Sequence, residues 1–232
     1  TTEIYTLSLH DALPISEYRD SVDAQSNRIT LGKVFLSGYD HTNSIDSIYW
    51  GTNSLLGALQ YNNVEGGVIN VKPWFFKWRK DGFTRYNGAF RYGEASEKAY
   101  GKLRWQRQFS NFSKARLSIT GGHYIEQING DQPIDPLVNS LYTLLREQHF
   151  IRLYERSFGE VNYFREWLNG LYGSIAVEYA DRQAVASNRD YRLVDVPNRV
   201  FADNSLENYP SGPARAMALE VKLTYRHKQK YA

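Results

Sequence analysis

The chain has 232 residues, with 28 Lys and Arg against 25 Asp and Glu, a formal net charge of +3 and no cysteine. The charges are scattered, with no basic block of the kind that neutralises nucleic-acid phosphates, and a mean hydropathy of −0.55 without a long apolar run excludes a transmembrane helix. Neither property excludes a β-barrel, whose inward residues are polar, and 18 Tyr, 11 Phe and 5 Trp suit a membrane-water boundary.

Residues 1–15, TTEIYTLSLHDALPI, match an in-frame translation of a widely used sequencing adapter. They are set aside as an artefact, together with His10 and Asp11. Residues 16–57 are expected to be a connector with one short strand and a loop. Within them, 16–28 is rich in Ser, Asp and Asn, Ile29, Leu31, Lys33 and Phe35 alternate with Thr30, Gly32 and Val34, and 37–57 is read as a loop with one helical turn or a short plug-like element. The partial barrel is expected over 58–232. Its strands begin near 63–78, interrupted by Pro73, which a sheet tolerates only at an edge, a strand end or a bulge. Further strands are predicted near 83–94, 98–109, 114–126, 149–167, 171–183 and 214–227.

These segments alternate strictly. Tyr86, Gly88, Phe90 and Tyr92 share one face, opposite Arg85, Asn87, Ala89 and Arg91; Ala99, Gly101, Leu103 and Trp105 oppose Tyr100, Lys102, Arg104 and Gln106. Leu117, Ile119, Gly121 and Ile125 oppose Arg116, Ser118, Thr120 and Glu126, and Ile175, Val177 and Tyr179 oppose Ser174, Glu178 and Arg182. In the last segment Met217, Leu219, Val221, Leu223 and Tyr225 oppose Glu220, Lys222, Thr224 and Arg226. Successive strand residues point to opposite sides, so the pattern describes a sheet between two different solvents. Connection lengths agree with threading through a membrane: 184–213 and 127–148 are long, while 110–113 and the pair Asn169-Gly170 are short. Asn-Gly favours a type I′ hairpin with positive φ at both positions.

Three segments resemble a known family: Tyr61-Asn62-Asn63-Val64-Glu65-Gly66, Leu153-Tyr154-Glu155-Arg156-Ser157-Phe158 and Asn169-Gly170-Leu171-Tyr172. They are similar to a Bacteroidota outer-membrane β-barrel family of unknown function, whose members are described as carboxypeptidase-like regulatory domain-containing proteins. The similarity runs from about residue 26 to 232. It implies an outer-membrane barrel, normally preceded by a periplasmic β-sandwich, and supplies no catalytic residues.

The fold expected is therefore an all-β antiparallel meander of about seven to eight strands, part of a transmembrane outer-membrane β-barrel and incomplete at both ends. No catalytic, cofactor or metal site is expected. His41, His123, His149 and His227 lack metal-ligand spacing. Ser118 and His123 fall on opposite faces of one strand, which disfavours a hydrolytic pair. Asp131 and Asp135, in the loop GDQPIDP, are assigned to turn hydrogen bonds. Candidate lumen-lining residues are Arg85, Arg91, Lys102, Arg104, Arg116, Glu126, Glu178, Arg182, Glu220, Lys222 and Arg226. Their positive bias suits anionic solutes or lipopolysaccharide phosphates; the plainer and preferred expectation is a salt-bridge network across neighbouring strands. The chain is expected in the bacterial outer membrane, against lipid and lipopolysaccharide, as a non-enzymatic element of envelope transport or a surface scaffold. A soluble all-β binding module, such as a sandwich or a carbohydrate-binding domain, is the alternative. A barrel-embedded hydrolase ranks last.

Overall fold

The period-two segments become the long strands of one antiparallel sheet. The computed structural model describes residues 13–130, 133–188, 191, 193–194, 196–198, 204 and 214–226. In chain order its elements are α1 (Leu13–Ser26), α2 (Leu31–Leu36), β1 (Tyr39–Asn43), β2 (Ile48–Thr52), α3 (Leu55–Ala58), β3 (Leu59–Asn62), β4 (Gly66–Val71) and β5 (Trp74–Arg79). They continue with β6 (Gly82–Gly93), β7 (Lys98–Gln108), β8 (Arg116–Gln127), α4 (Pro136–Arg146), β9 (Leu153–Leu168), β10 (Leu171–Ala184) and β11 (Ala214–Tyr225). The 11 strands follow the order β1-β2-β5-β6-β7-β8-β9-β10-β11, with β3 and β4 on a side branch. Among the described residues the sheet does not close into a barrel.

Pro73 explains the branch. It separates β4 from β5, which lie end to end along β6: Val68 to Val71 pair with Phe90 to Gly93, and Trp74 to Arg79 pair with Gly82 to Asn87. Proline has no N–H to give, but its carbonyl still accepts the Gly88 N–H at 2.8 Å, so the crossing point stays bonded to β6.

Several expectations are corrected. Eleven strands form in place of seven or eight, because short β1, β2 and β3 carry Gly, Asn and Thr and show no long alternation. The segment 29–35 is helical from Leu31 onward: the Thr30 hydroxyl caps α2 by accepting the Lys33 N–H, at 3.2 Å. Residues 16–26 belong to α1, tied to β1 by Asp23, which accepts from the Ser44 N–H and hydroxyl, both at 2.7 Å. The loop 127–148 contains α4, whose N-cap is Asp135, accepting from Leu137 and Val138 N–H; Asp131, His227 and residues 1–12 lie outside the described residues. At the Asn169-Gly170 turn only Gly170 has positive φ, +82°, and the register shifts after Leu171. The turn is therefore not type I′: β9 carries an extra residue at Trp167, a bulge that reverses the chain with one left-handed position. Connection lengths agree with expectation, long between β8 and β9 and between β10 and β11, and short at β7–β8 and β9–β10.

The apolar core lies at the end of the sheet that carries the long connections. Val64, Ala89, Tyr100, Tyr124, Ile125, Ile151 and Leu153 form it, with Ile134 and Val185 packed on top. Ile125 is thus covered, not on the outward apolar row, because its strand has by then passed beneath the β8–β9 connection. The Tyr61-to-Gly66 turn folds into this core. Asn62 Oδ1 accepts the Val64 and Glu65 N–H at 3.0 and 2.8 Å, closing an Asx-type turn that buries Asn62, Asn63, Val64 and Glu65.

Candidate functional site

The two faces of the sheet differ in chemistry. On one, Phe90, Leu103, Ile119, Val161, Ile175, Val177, Leu219 and Val221 are exposed, and the register places Trp105, Ile119, Val161, Val177 and Leu219 in one continuous row across β7 to β11. Monomeric soluble proteins rarely leave so extended an apolar surface uncovered.

The other face carries a ladder of ion pairs. Lys102 on β7 meets Glu126 on β8 at 2.7 Å; Glu126 also meets Arg156 on β9 at 2.9 Å. Arg156 then reaches Glu178 on β10 at 2.5 Å, and Glu178 holds Arg182 at 3.0 Å. Each carboxylate takes two cations, so the charges of neighbouring strands alternate in sign across the sheet. Arg156 also lies over the Phe158 ring at 4.0 Å and Lys102 over Tyr124 at 4.4 Å. Arg156 and Glu155, which sequence inspection left out of the candidate set, are central here. Their place in the Leu153-to-Phe158 segment was the only signal.

The sequence-derived candidates separate into groups. Arg91 is buried against Glu65 and Gln60. Lys102, Glu126, Glu178 and Arg182 belong to the ladder. Arg85 lies over Phe76 at 5.4 Å, Arg116 over Phe164 at 5.1 Å and Arg226 over Tyr172 at 5.4 Å. Arg104 donates from Nε to Ser118 Oγ at 3.0 Å. Glu220 and Lys222 lie exposed on the free margin strand β11, apart from the rest.

Two cavities open on this charged face. One, of about 790 Å³, is lined by Lys72, Arg85, Lys102, Arg104, Arg156 and Glu160 with their neighbours. The second, of about 520 Å³, lies toward the core and includes Gln60, Asn70, Arg91 and Ile134. Lys72, Lys102, Tyr124 and Glu126 line both.

Ser118 does not approach His123. The histidine instead faces Ser157, its register partner on β9, with Nδ1 2.8 Å from Oγ and Nε2 3.9 Å from Glu155 Oε2. Glu155 is held by Lys98 Nζ at 2.6 Å and the Tyr100 hydroxyl at 2.7 Å. A serine, an imidazole and a carboxylate thus touch in sequence. Both strands are paired on each side, which commits to the sheet ladder the main-chain N–H groups an oxyanion needs. Among the described residues no group of three or more His, Cys, Asp or Glu is arranged to hold a metal ion.

An antiparallel sheet with one apolar and one ion-paired face defines an all-β protein. The chain belongs to the family described as "Family of unknown function (DUF5686) C-terminal domain", whose model matches residues 32–232. No curated protein and no solved structure matches it.

Proposed function

We propose that the chain is part of a bacterial outer-membrane β-barrel and that it acts without catalysis, in envelope transport or as a surface scaffold. The observation that carries this reading is the exposed apolar face: Ile175, Val177 and Tyr179 on β10 and Met217, Leu219, Val221 and Leu223 on β11 alternate with small or polar residues on the other side, among them Ala176, Glu178, Ala218, Glu220 and Lys222. Burying such a face is worth about 25 cal/mol for each Å² removed from water, and a lipid acyl region covers it without a second protein layer. The alternation of long and short connections supports the same reading, as does the concentration of the core at the end bearing the long ones. A two-layer soluble module needs a second sheet on the apolar face, and the described strands all join a single sheet.

The test is purification of the chain with and without detergent. Folded, β-rich protein obtained only in micelles or lipid vesicles is the expected result. A monodisperse, folded protein in plain buffer would defeat the proposal.

A further inference from the structure

We infer that the cavity of about 790 Å³ on the charged face is a binding site for a phosphate-bearing ligand, a phosphate monoester or a pyrophosphate group. The inference concerns only the charged face and holds whichever solvent covers the other.

Charge matching along this face stops at the cavity. Lys102 and Arg156 line it but are already neutralised, by Glu126 at 2.7 and 2.9 Å and by Glu178 at 2.5 Å from Arg156. Lys72, Arg85 and Arg104 line the same space and, among the described residues, form no ion pair. Arg85 is stacked over Phe76 at 5.4 Å, and Arg104 gives only its Nε to a hydroxyl, at 3.0 Å, which leaves the outer edge of its guanidinium open. All three are exposed in the cavity, so a ligand reaches them without rearrangement. The remaining acid of the lining is Glu160.

The register fixes how these cations are spaced. Arg104 stands opposite Asn87, and Arg85 is two residues along β6 from Asn87 on the same face, so the two arginines are diagonal neighbours. Diagonal pairs on one sheet face stand about 7–8 Å apart, a span that two guanidinium forks close over one phosphoryl or pyrophosphoryl group. Lys72 approaches from the β4–β5 connection, ahead of Pro73 and Trp74, and adds a compact point charge from another direction. Three like charges around one concavity repel one another until an anion occupies it. The Trp74 and Phe158 side chains on the same wall suit the less polar remainder of such a ligand.

The experiment is calorimetric titration of the full chain in detergent micelles with inorganic pyrophosphate, repeated with micelles doped with phosphatidic acid, and with sulfate at matched ionic strength. Saturable pyrophosphate binding is expected, at least tenfold weaker in the Arg85→Gln, Arg104→Gln double variant and weakened in Lys72→Gln, a surface change that leaves the strands intact. Preference for pyrophosphate over the doped micelles identifies a free solute, and the reverse identifies a lipid headgroup; either agrees with the proposal. Absence of saturable binding to both, equal binding of sulfate, or unchanged affinity in Lys72→Gln and in a double variant that retains the native circular dichroism overturns it. Folding in micelles is read separately, so a failure here is distinct from a failure of the membrane proposal.

Discussion

Arg91 on β6 and Glu65 in the β3–β4 turn form a buried, two-pronged ion pair, with Nε and Nη2 donating to the carboxylate at 2.5–3.0 Å. Asn62 Nδ2 donates to the same carboxylate at 2.9 Å, and Arg91 Nη1 reaches Gln60 at 3.0 Å. Glu65 is fully buried, with 0% exposure, so among the described residues it is these donors that compensate its lost hydration.

Removing one partner leaves the other charge stranded. Glu65→Ala is expected to lower stability by about 3–5 kcal/mol, and Glu65→Gln, which keeps an acceptor for the guanidinium, by clearly less. Thermal unfolding followed by circular dichroism measures the difference; equal effects of the two substitutions would show that packing, not charge, is what Glu65 contributes.

His149 makes the connection between α4 and β9 sensitive to acid. Burial first, and then the charge of Arg152, push its pKa from 6.5 down to about 4. Its Nδ1 lies 3.2 Å from Asn139 Nδ2, which suits a neutral ring. Between those values the unfolded chain binds a proton that the folded chain refuses. The stabilisation is therefore complete above pH 6.5 and disappears as the pH falls through about 4. The loss reaches on the order of 3 kcal/mol. Unfolding midpoints across this range are expected to fall less steeply in His149→Gln than in the parent.

The β9–β10 turn depends on one glycine. Gly170 has φ +82°, and a Cβ there would sit 2.5 Å from the Arg226 carbonyl oxygen. Gly170→Ala is expected to cost about 1–3 kcal/mol. Gly159→Ala, where an added Cβ meets nothing within 4 Å, is the control and is expected to be near neutral.

Midway along β11, on the apolar face, Leu219→Arg is expected to weaken folding into lipid vesicles by about 2–4 kcal/mol. Replacing its neighbour on the other face, Glu220→Ala, is expected to have little effect. Vesicle-folding titrations in urea compare them, and a harmless Leu219→Arg would mean that water, not lipid, meets this face.

Ser157 and His123 share a hydrogen bond on strands that are each paired on both sides. A fluorophosphonate probe is expected to leave the folded chain unlabelled. Labelling that disappears in Ser157→Ala would instead establish a hydrolase.

The long strands were legible because β6 to β11 alternate over many residues, and alternation is a direct consequence of strand geometry. The same rule separated the exposed Leu103, Ile119 and Val177 from the ion-paired Lys102, Glu126 and Glu178. It failed where the chemistry is inverted. In α4 the buried side is Asn139, Ser140 and Thr143, whereas Val138, Leu141 and Leu145 are exposed; Asn139 earns its place by accepting the Phe150 and Ile151 N–H at 2.9 and 3.2 Å. A hydrophobic pattern gives no hint of a helix anchored by its polar side. The site was visible only in part. Arg85, Arg104 and Lys102 stood out as cations on one face, but Lys72 lies outside the regular alternation, and only the fork at Pro73 brings it to the cavity.

That fork has a geometric corollary for the rim of the sheet. β11 offers a margin of 12 residues, whereas the opposite side ends in two staggered steps, β1 with 5 residues and β3 with 4. If β11 were laid against either step, more than half of its outward-pointing amide and carbonyl groups would find no counterpart, an arrangement that a hydrocarbon environment does not tolerate. A seam between these margins needs additional backbone to bridge the mismatch. The described strands thus form an open sheet whose two margins do not match in length.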